Sequence, residues 1–399
     1  MARMLTHVCA AIVAAVCLQS TAFSALAQDA NKKEIVFGYS DSLTGKYSTE
    51  ATDLHHGYQL WAEDTNKAGG IQLKDRKLPV KLDYYDDASD ANTAIRNYER
   101  LITGDQVDFV LSPWGSGHNF AISTVAEKYK YPIVLATAAA DGIFNRNFKY
   151  IFAATQMASS FYEALGGYLP TVKDEIKTVA IAYENFLFTQ TLHDNLLKRL
   201  EPIGLRLVDD EQYPLGGQDF TSLLTKAKAA NPDAFIAINI MPASIYLTRQ
   251  MAEIGFKPKL YSVNIGPMYT KEFIDGLGKS AERVIENGFW DSGLPFAGAQ
   301  KFADEFAAKY GKQPSTDAAY AFIAGNIMQQ AIEKAGTLDR EQVTAQLRSG
   351  KFDTILGTYV YDERGVNKEQ LSFIVQVQNG RRTVVWPKSV AKSSVELPY

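Results

Sequence analysis

From Glu34 to Ala136 the apolar positions form short unbroken runs that alternate with stretches of helical period. The runs Glu34 to Tyr39, Pro79 to Tyr84 and Pro132 to Ala136, and one that starts at Val107, predict strands. Between them Leu54, Tyr58 and Trp61 share one helix face, and Gly69-Gly70 stops that helix. A second helix, capped by Ser89 or Asp90, turns Ile95, Tyr98, Leu101 and Ile102 inward, and Gly117 to Tyr129 suits a third. Strand-helix alternation with little spare loop predicts an α/β fold with a parallel, doubly wound sheet.

Beyond Phe148 a second series of the same kind begins. Helical patterns at Phe161 to Leu169, Phe188 to Leu200, Phe220 to Ala229 and Ser244 to Ile254 alternate with strand patterns at Thr178 to Tyr183, Leu205 to Tyr213, Ala234 to Ile238 and Lys259 to Val263. Three further helices, Ala297 to Tyr310, Ala318 to Ala335 and Arg340 to Arg348, lead to strands at Gly357 to Tyr361 and Leu371 to Val377. A single cut of the chain into two halves leaves these last elements without a home.

The amino-terminal residues change the picture of where the protein works. Arg3 supplies a positive start, Ala10 to Leu18 is an apolar run too short to span a bilayer, and Ala25-Leu26-Ala27 fits small-residue cleavage. Residues 1–27 are therefore expected to be a cleaved secretory signal peptide. Both cysteines, Cys9 and Cys17, fall within it, so the exported chain is expected to carry no thiol or disulfide. Removing 27 of 399 residues leaves 372, more than one core usually organises. Loss of Arg3 takes the formal charge from -4 to -5. A mildly acidic chain without a basic block is not expected to bind nucleic acid or anionic lipid.

The candidate chemistry gathers after the third strand, in Ser112-Pro113-Trp114-Gly115-Ser116-Gly117. Ligands of open parallel sheets bind at the carboxyl ends of strands. Gly115 and Gly117 admit a close guest, Ser116 offers a hydroxyl and an amide N–H, and Trp114 offers a flat apolar face. An ordinary strand-to-helix turn would read the same way.

Several segments in order resemble the leucine/isoleucine/valine-binding family, the type I periplasmic solute-binding proteins of ATP-driven importers. They are Ile35 to Gly45, Asn66-Lys67-Ala68-Gly69-Gly70-Ile71, Tyr85 to Asp90, Ser112 to Gly117, Leu135 to Ala140, and Gly357 to Gly365. The resemblance implies two Rossmann-like lobes joined by three crossovers: residues 34–154 with 290–360, and residues 155–289 with 361–386, followed by a tail at 387–399. It implies a periplasmic, monomeric protein that closes on a small carboxylate-bearing solute by hinge motion and presents it to an inner-membrane ABC permease with its cytoplasmic ATPase. A receptor on the same fold that signals to a membrane partner is the alternative.

Carried over by position, the ligand-carboxylate site of the family falls on Ser116 and the backbone near Ala138 and Ala140. Hydroxyl and amide donors at a helix amino terminus suit a carboxylate. Amino-acid binders of the family commonly have a threonine where Ala140 stands, and an acid near Asn264. A buried ammonium needs such a partner. Glu50 is the first candidate substitute, with Asp141 and Glu184 near other cleft loops; each can equally be a helix cap or a surface acid. Tyr47, Trp114, Phe188 and Trp290, with Met241 as filler, are expected to enclose a planar or branched apolar body. In a chain with 12% aromatic residues, packing the lobes is the competing role for these rings.

Catalysis, metals and cofactors are not expected. Ser116 is framed as Gly-Ser-Gly, not Gly-x-Ser-x-Gly. The adjacent His55 and His56 splay apart by about 100° on a helix. Gly115 and Gly117 lack the third glycine of a dinucleotide loop, where Phe120 stands.

Overall fold

The fold was analysed in a computed structural model, which describes residues 32–369 and 371–399. The expected signal peptide at residues 1–27, with both cysteines, lies outside the described residues. No helix among the described residues is long and apolar enough to cross a membrane.

The first series forms a parallel sheet in which Ile35–Asp41 lies between Val80–Asp86 and Phe109–Val110. Ile133–Leu135 and Ile151–Ala153 form a separate parallel pair. Just past the ends of Phe109–Val110 and Ile133–Leu135, the Ser112 hydroxyl accepts the Ala136 N–H at 2.9 Å. Helix Ser48–Lys67 buries Leu54, Tyr58 and Trp61 on this sheet, and Trp61 meets Phe37 edge-on at 5.1 Å. Asp90, not Ser89, caps helix Ala91–Thr103: its side chain accepts the Thr93 N–H at 2.7 Å.

The second series builds a seven-stranded sheet. Its central strands Thr178–Glu184, Ala234–Ile238, Leu260–Val263 and Ile285–Gly288 run parallel, with Arg206–Tyr213 parallel on one edge. The other edge is antiparallel, formed by Phe373–Gln378 and Arg381–Trp386. Thr178–Glu184, Ala234–Ile238 and Leu260–Val263 are buried on both faces, which is why they read as mostly apolar runs. The chain end at 387–399 also packs here, with Tyr399 donating its N–H to Lys259 at 2.9 Å and its ring 5.0 Å from that of Tyr261.

Helix Thr316–Ala335 returns to the first lobe and lies against Ser48–Lys67. Two glycines set the closeness of this pair. A Cβ on Gly57 would sit 2.2 Å from the Ala318 carbonyl oxygen, and one on Gly325 would sit 2.2 Å from the Trp61 ring. Alanine ordinarily helps a helix by up to about 1 kcal/mol over glycine. Here the added methyl meets backbone, so Gly57→Ala is expected to destabilise the protein by about 1 to 3 kcal/mol. Denaturant midpoints would measure it, and an unchanged midpoint would show that the two helices separate freely.

One crossover differs from expectation. Residues 361–367 stay with the first lobe instead of beginning the second. The Gly365 carbonyl accepts the Ala153 N–H at 2.8 Å, and Val366 is buried with Ile133 and Ile151. The hairpin closed by Asp362 and Val366 pins this segment to the sheet edge, and the chain joins the other sheet only at Phe373.

Candidate functional site

The loop Ser112 to Gly115 is held at every step by a named partner. The Asp41 carboxylate, at the end of the first strand, accepts the N–H groups of Trp114 at 3.1 Å and Ser42 at 3.0 Å. Gly115 donates to the Thr137 hydroxyl at 3.0 Å, and the Asn119 amide ties back to the Pro113 and Gly115 carbonyls at 2.8 and 2.9 Å. Gly115 has φ +85°, a left-handed conformation that favours glycine, and helix Ser116–Tyr129 starts immediately after it. The Trp114 indole N–H reaches across to Asp317 at 2.9 Å.

Ser116 is buried, and its Oγ accepts the N–H groups of Ala139 and Ala140, both at 3.2 Å. A hydroxyl that accepts twice keeps its proton to donate. The two amides thus position the Ser116 O–H at a helix amino terminus, where the backbone dipoles favour negative charge. The Ala140 N–H, expected to face a solute, is thereby taken by Ser116, and Ala138 and Ala140 do not line the cavity. Their side chains are buried in the apolar cluster beneath it, and Ala139 faces the space.

That space is a cavity between the lobes. The first lobe supplies Trp114, Gly115, Thr137 and Ala139, with Thr316, Asp317 and Tyr320 from the returning helix. Phe161, Phe188, Asn264, Ile265, Met268 and Phe289 close it from the other side, with Thr155 at a crossover. Phe161 packs against Phe188 at 5.6 Å and Phe289 at 4.1 Å, making a continuous aromatic wall. Asn264 is 2% exposed, and neither its amide nitrogen nor its amide oxygen has a partner.

Of the residues proposed from sequence, Trp114, Gly115, Phe188 and Asn264 line the cavity, and Ser116 lies directly behind Gly115 and Ala139. Four others do not. Tyr47 sits behind Trp114, ring to ring at 5.1 Å, and supports it. Trp290 is packing: its indole N–H is bonded to the Ile355 carbonyl at 3.2 Å and its ring meets Phe302 edge-on. Glu50 and Met241 meet each other, the Glu50 carboxylate accepting the Met241 N–H at 3.0 Å.

This last contact joins the lobes, since Glu50 lies in the first turn of helix Ser48–Lys67 and Met241 opens helix Met241–Glu253 of the second lobe. Glu50 is fully buried, its other oxygen has no partner, and burial pushes its pKa up to about 8. Two more contacts cross the cleft. Tyr269 donates its hydroxyl to Asp317 at 2.6 Å, and Lys312, bonded to Asp53 at 2.7 Å, also reaches Glu272 at 3.0 Å. The remaining acids are engaged elsewhere. Asp141 accepts the Ser159 N–H and hydroxyl as a cap, and Glu184, buried and raised to about 7, accepts the Ile240 N–H at 2.8 Å.

The acid at the cavity is Asp317, which the sequence reading passed over. It follows the Ser315 cap of helix Thr316–Ala335, where an aspartate looks like an ordinary first-turn residue. A periodic pattern reports that such a position is near a helix start; it does not report that an indole 203 residues earlier bonds to it. Thr137, Phe161 and Phe289 were also missed; strand-end and crossover positions carry no period of their own.

The geometry agrees with what the chain resembles. The sequence profile described as periplasmic binding protein matches residues 34–382. Leu/Ile/Val-binding protein homolog 7 of Brucella suis is 24% identical over 92% of this chain and 94% of its own length, and homolog 8 of the same organism is 24% identical over 94% and 95%. Among solved structures, the solute-binding protein of an ABC transporter from R. palustris in complex with benzoate superimposes with a TM-score of 0.78 at 17% identity, over 90% of this chain and 98% of that one. The branched-chain amino acid transporter substrate-binding protein LivJ of Streptococcus pneumoniae, in complex with isoleucine, gives 0.77 at 22% identity over 89% and 100%. A two-lobed α/β fold with a walled cavity between the lobes, and a profile match spanning almost all the described residues, place this chain in the periplasmic binding protein family.

Proposed function

We propose that this protein is the solute-binding component of an ABC importer, working in the periplasm, and that it captures a small carboxylate-bearing solute between its lobes. The observation that carries this reading is the position of the Ser116 hydroxyl and its helix amino terminus beside a cavity walled by Trp114, Phe161, Phe188 and Phe289. A carboxylate there gains a charge-assisted bond from Ser116 and the favourable end of the helix dipole. The rings take an apolar or planar body out of water. The benzoate and isoleucine complexes of its structural relatives are both of this class: a carboxylate on a compact apolar frame. Hinge closure would complete the cavity, because its walls come from both lobes, and the closed outline is what a permease would recognise.

Calorimetric titration of protein refolded from denaturant, against branched and aromatic carboxylates, tests the reading. Ser116→Ala is expected to weaken carboxylate binding by about 1 to 3 kcal/mol. Retained affinity in that variant would move the carboxylate elsewhere, and no binding by any carboxylate would overturn the proposal.

A further inference from the structure

We infer that residues 265–275 of the second lobe form a closure latch: Met268 walls the cavity while Tyr269 and Glu272 grip the first lobe, so that the lobes shut without waiting for a solute. The inference rests on the solute-binding reading above only for what closure does to affinity. The segment is fixed to its own lobe. The Glu286 carboxylate accepts the Gly266 N–H at 2.9 Å, Tyr269 donates its N–H to the Gly266 carbonyl at 2.9 Å, and Phe273 and Ile274 are buried. Thr270–Asp275 winds as a π-helix, a wide turn often found at functional sites, and it carries Glu272 to the first lobe just after Tyr269 reaches Asp317 at 2.6 Å.

The first lobe meets this segment with an arm that is already set. Lys312 lies in the short link between helices Ala299–Tyr310 and Thr316–Ala335, the first ended by Gly311 at φ +69° and the second capped by Ser315. Its ammonium is 2.7 Å from Asp53, in helix Ser48–Lys67 of the same lobe, and 3.0 Å from Glu272 across the cleft. An exposed ion pair contributes little because two long side chains must be ordered to make it. Asp53 and Lys312 belong to one lobe and stay paired when the lobes part, so closure gains the Glu272 contact without ordering Lys312 again. The Lys312 side chain is 14% exposed, which limits screening by salt without abolishing it. None of Lys312, Asp53 and Glu272 lines the cavity. Their contribution to closure is therefore the same whichever solute is inside.

The width of the cleft in solute-free protein tests this. Phe120 and Leu187 are exposed and lie near the starts of helices Ser116–Tyr129 and Leu187–Leu200, which touch from opposite lobes. Phe120→Cys and Leu187→Cys would be spin-labelled together in protein refolded from denaturant. Short label separations are expected before any solute is added. Glu272→Ala is expected to lower the ratio of closed to open protein by about threefold or more, on the scale of a partly exposed pair. Glu272→Lys, which sets a like charge against Lys312, should lower it further. Raising NaCl from about 0.02 to about 1 M should widen the cleft of the wild type and leave that of Glu272→Ala unmoved. Affinities for isoleucine and benzoate should fall in Glu272→Ala by one common factor, the one those populations dictate. A wild type that stands wholly open without solute, separations that ignore both substitutions, or unequal losses for the two solutes overturns the latch. If neither variant folds, the wild type decides, and separations that ignore salt overturn it. If no carboxylate binds, the solute reading falls while the separations still decide the latch.

Discussion

Replacing Trp114 by alanine is expected to weaken solute binding by about 3 to 5 kcal/mol, the usual cost of emptying a site of that size. On the affinity scale this is on the order of a hundredfold or more. Three losses combine. The aromatic wall opens, Asp317 keeps only its Tyr269 donor, and Tyr47 loses the ring it supports. Trp290→Ala supplies the control, because it deletes a ring of the same size that is buried against Phe302 outside the cavity. That change should lower the melting temperature while leaving the affinity of the folded protein nearly unaltered. Calorimetry beside thermal unfolding checks both. Equal affinity losses in the two variants would demote Trp114 to packing.

Solute affinity is also expected to fall as pH rises through neutrality, because Glu50 is buried only where the lobes meet. Its pKa is about 8 in the closed arrangement, against an ordinary 4.5 once the carboxyl faces water. Among the described residues no lysine or arginine pairs with it; the groups that act on it or feel it are Tyr47, Tyr269, Glu184 and Asp317, all neutral or acidic. The protonated carboxyl therefore favours closure. Below about pH 4.5 both states hold the proton and the contribution is complete. Between there and about 8 each pH unit weakens closure by up to tenfold, and above 8 the loss levels off. Glu50→Gln keeps a carbonyl oxygen for the Met241 N–H and has no proton to exchange, so its affinity should fall less steeply with pH, keeping only the dependence that Glu184 and Asp317 contribute. A wild-type profile that matches the variant would show that Glu50 does not titrate on closure.

These two residues also mark what can be read from sequence. The strand that leads into the Ser112 to Gly115 loop, the Asp90 cap and the apolar face of Leu54, Tyr58 and Trp61 follow from local rules, since period and capping act within a few residues. Trp114 and Phe188, expected at the cleft from their places at a strand end and a helix start, line the cavity between the lobes. Trp290 was misplaced for a physical reason: burial of a ring is the same whether a solute or Phe302 covers it. Glu50 was placed near the cleft by position, but the Met241 amide that occupies it lies 191 residues away. The strand Ile285–Gly288 escaped notice because Glu286 and Asn287, though buried, break its apolar run.

The return of helix Thr316–Ala335 to the first lobe bears on how the protein is made. The Trp114 loop is synthesised long before Asp317, 203 residues later, and the second sheet waits for Phe373–Gln378. Neither lobe can finish from a continuous stretch of chain, so both depend on contacts with a high loop-closure cost. A chain that stops before residue 317 loses the partners of Gly57 and Trp61 as well as the acid at the cavity. Synthesis interrupted before this region is thus expected to yield fragments in which neither lobe is finished, and a completed cavity requires a polypeptide built through Phe373–Gln378.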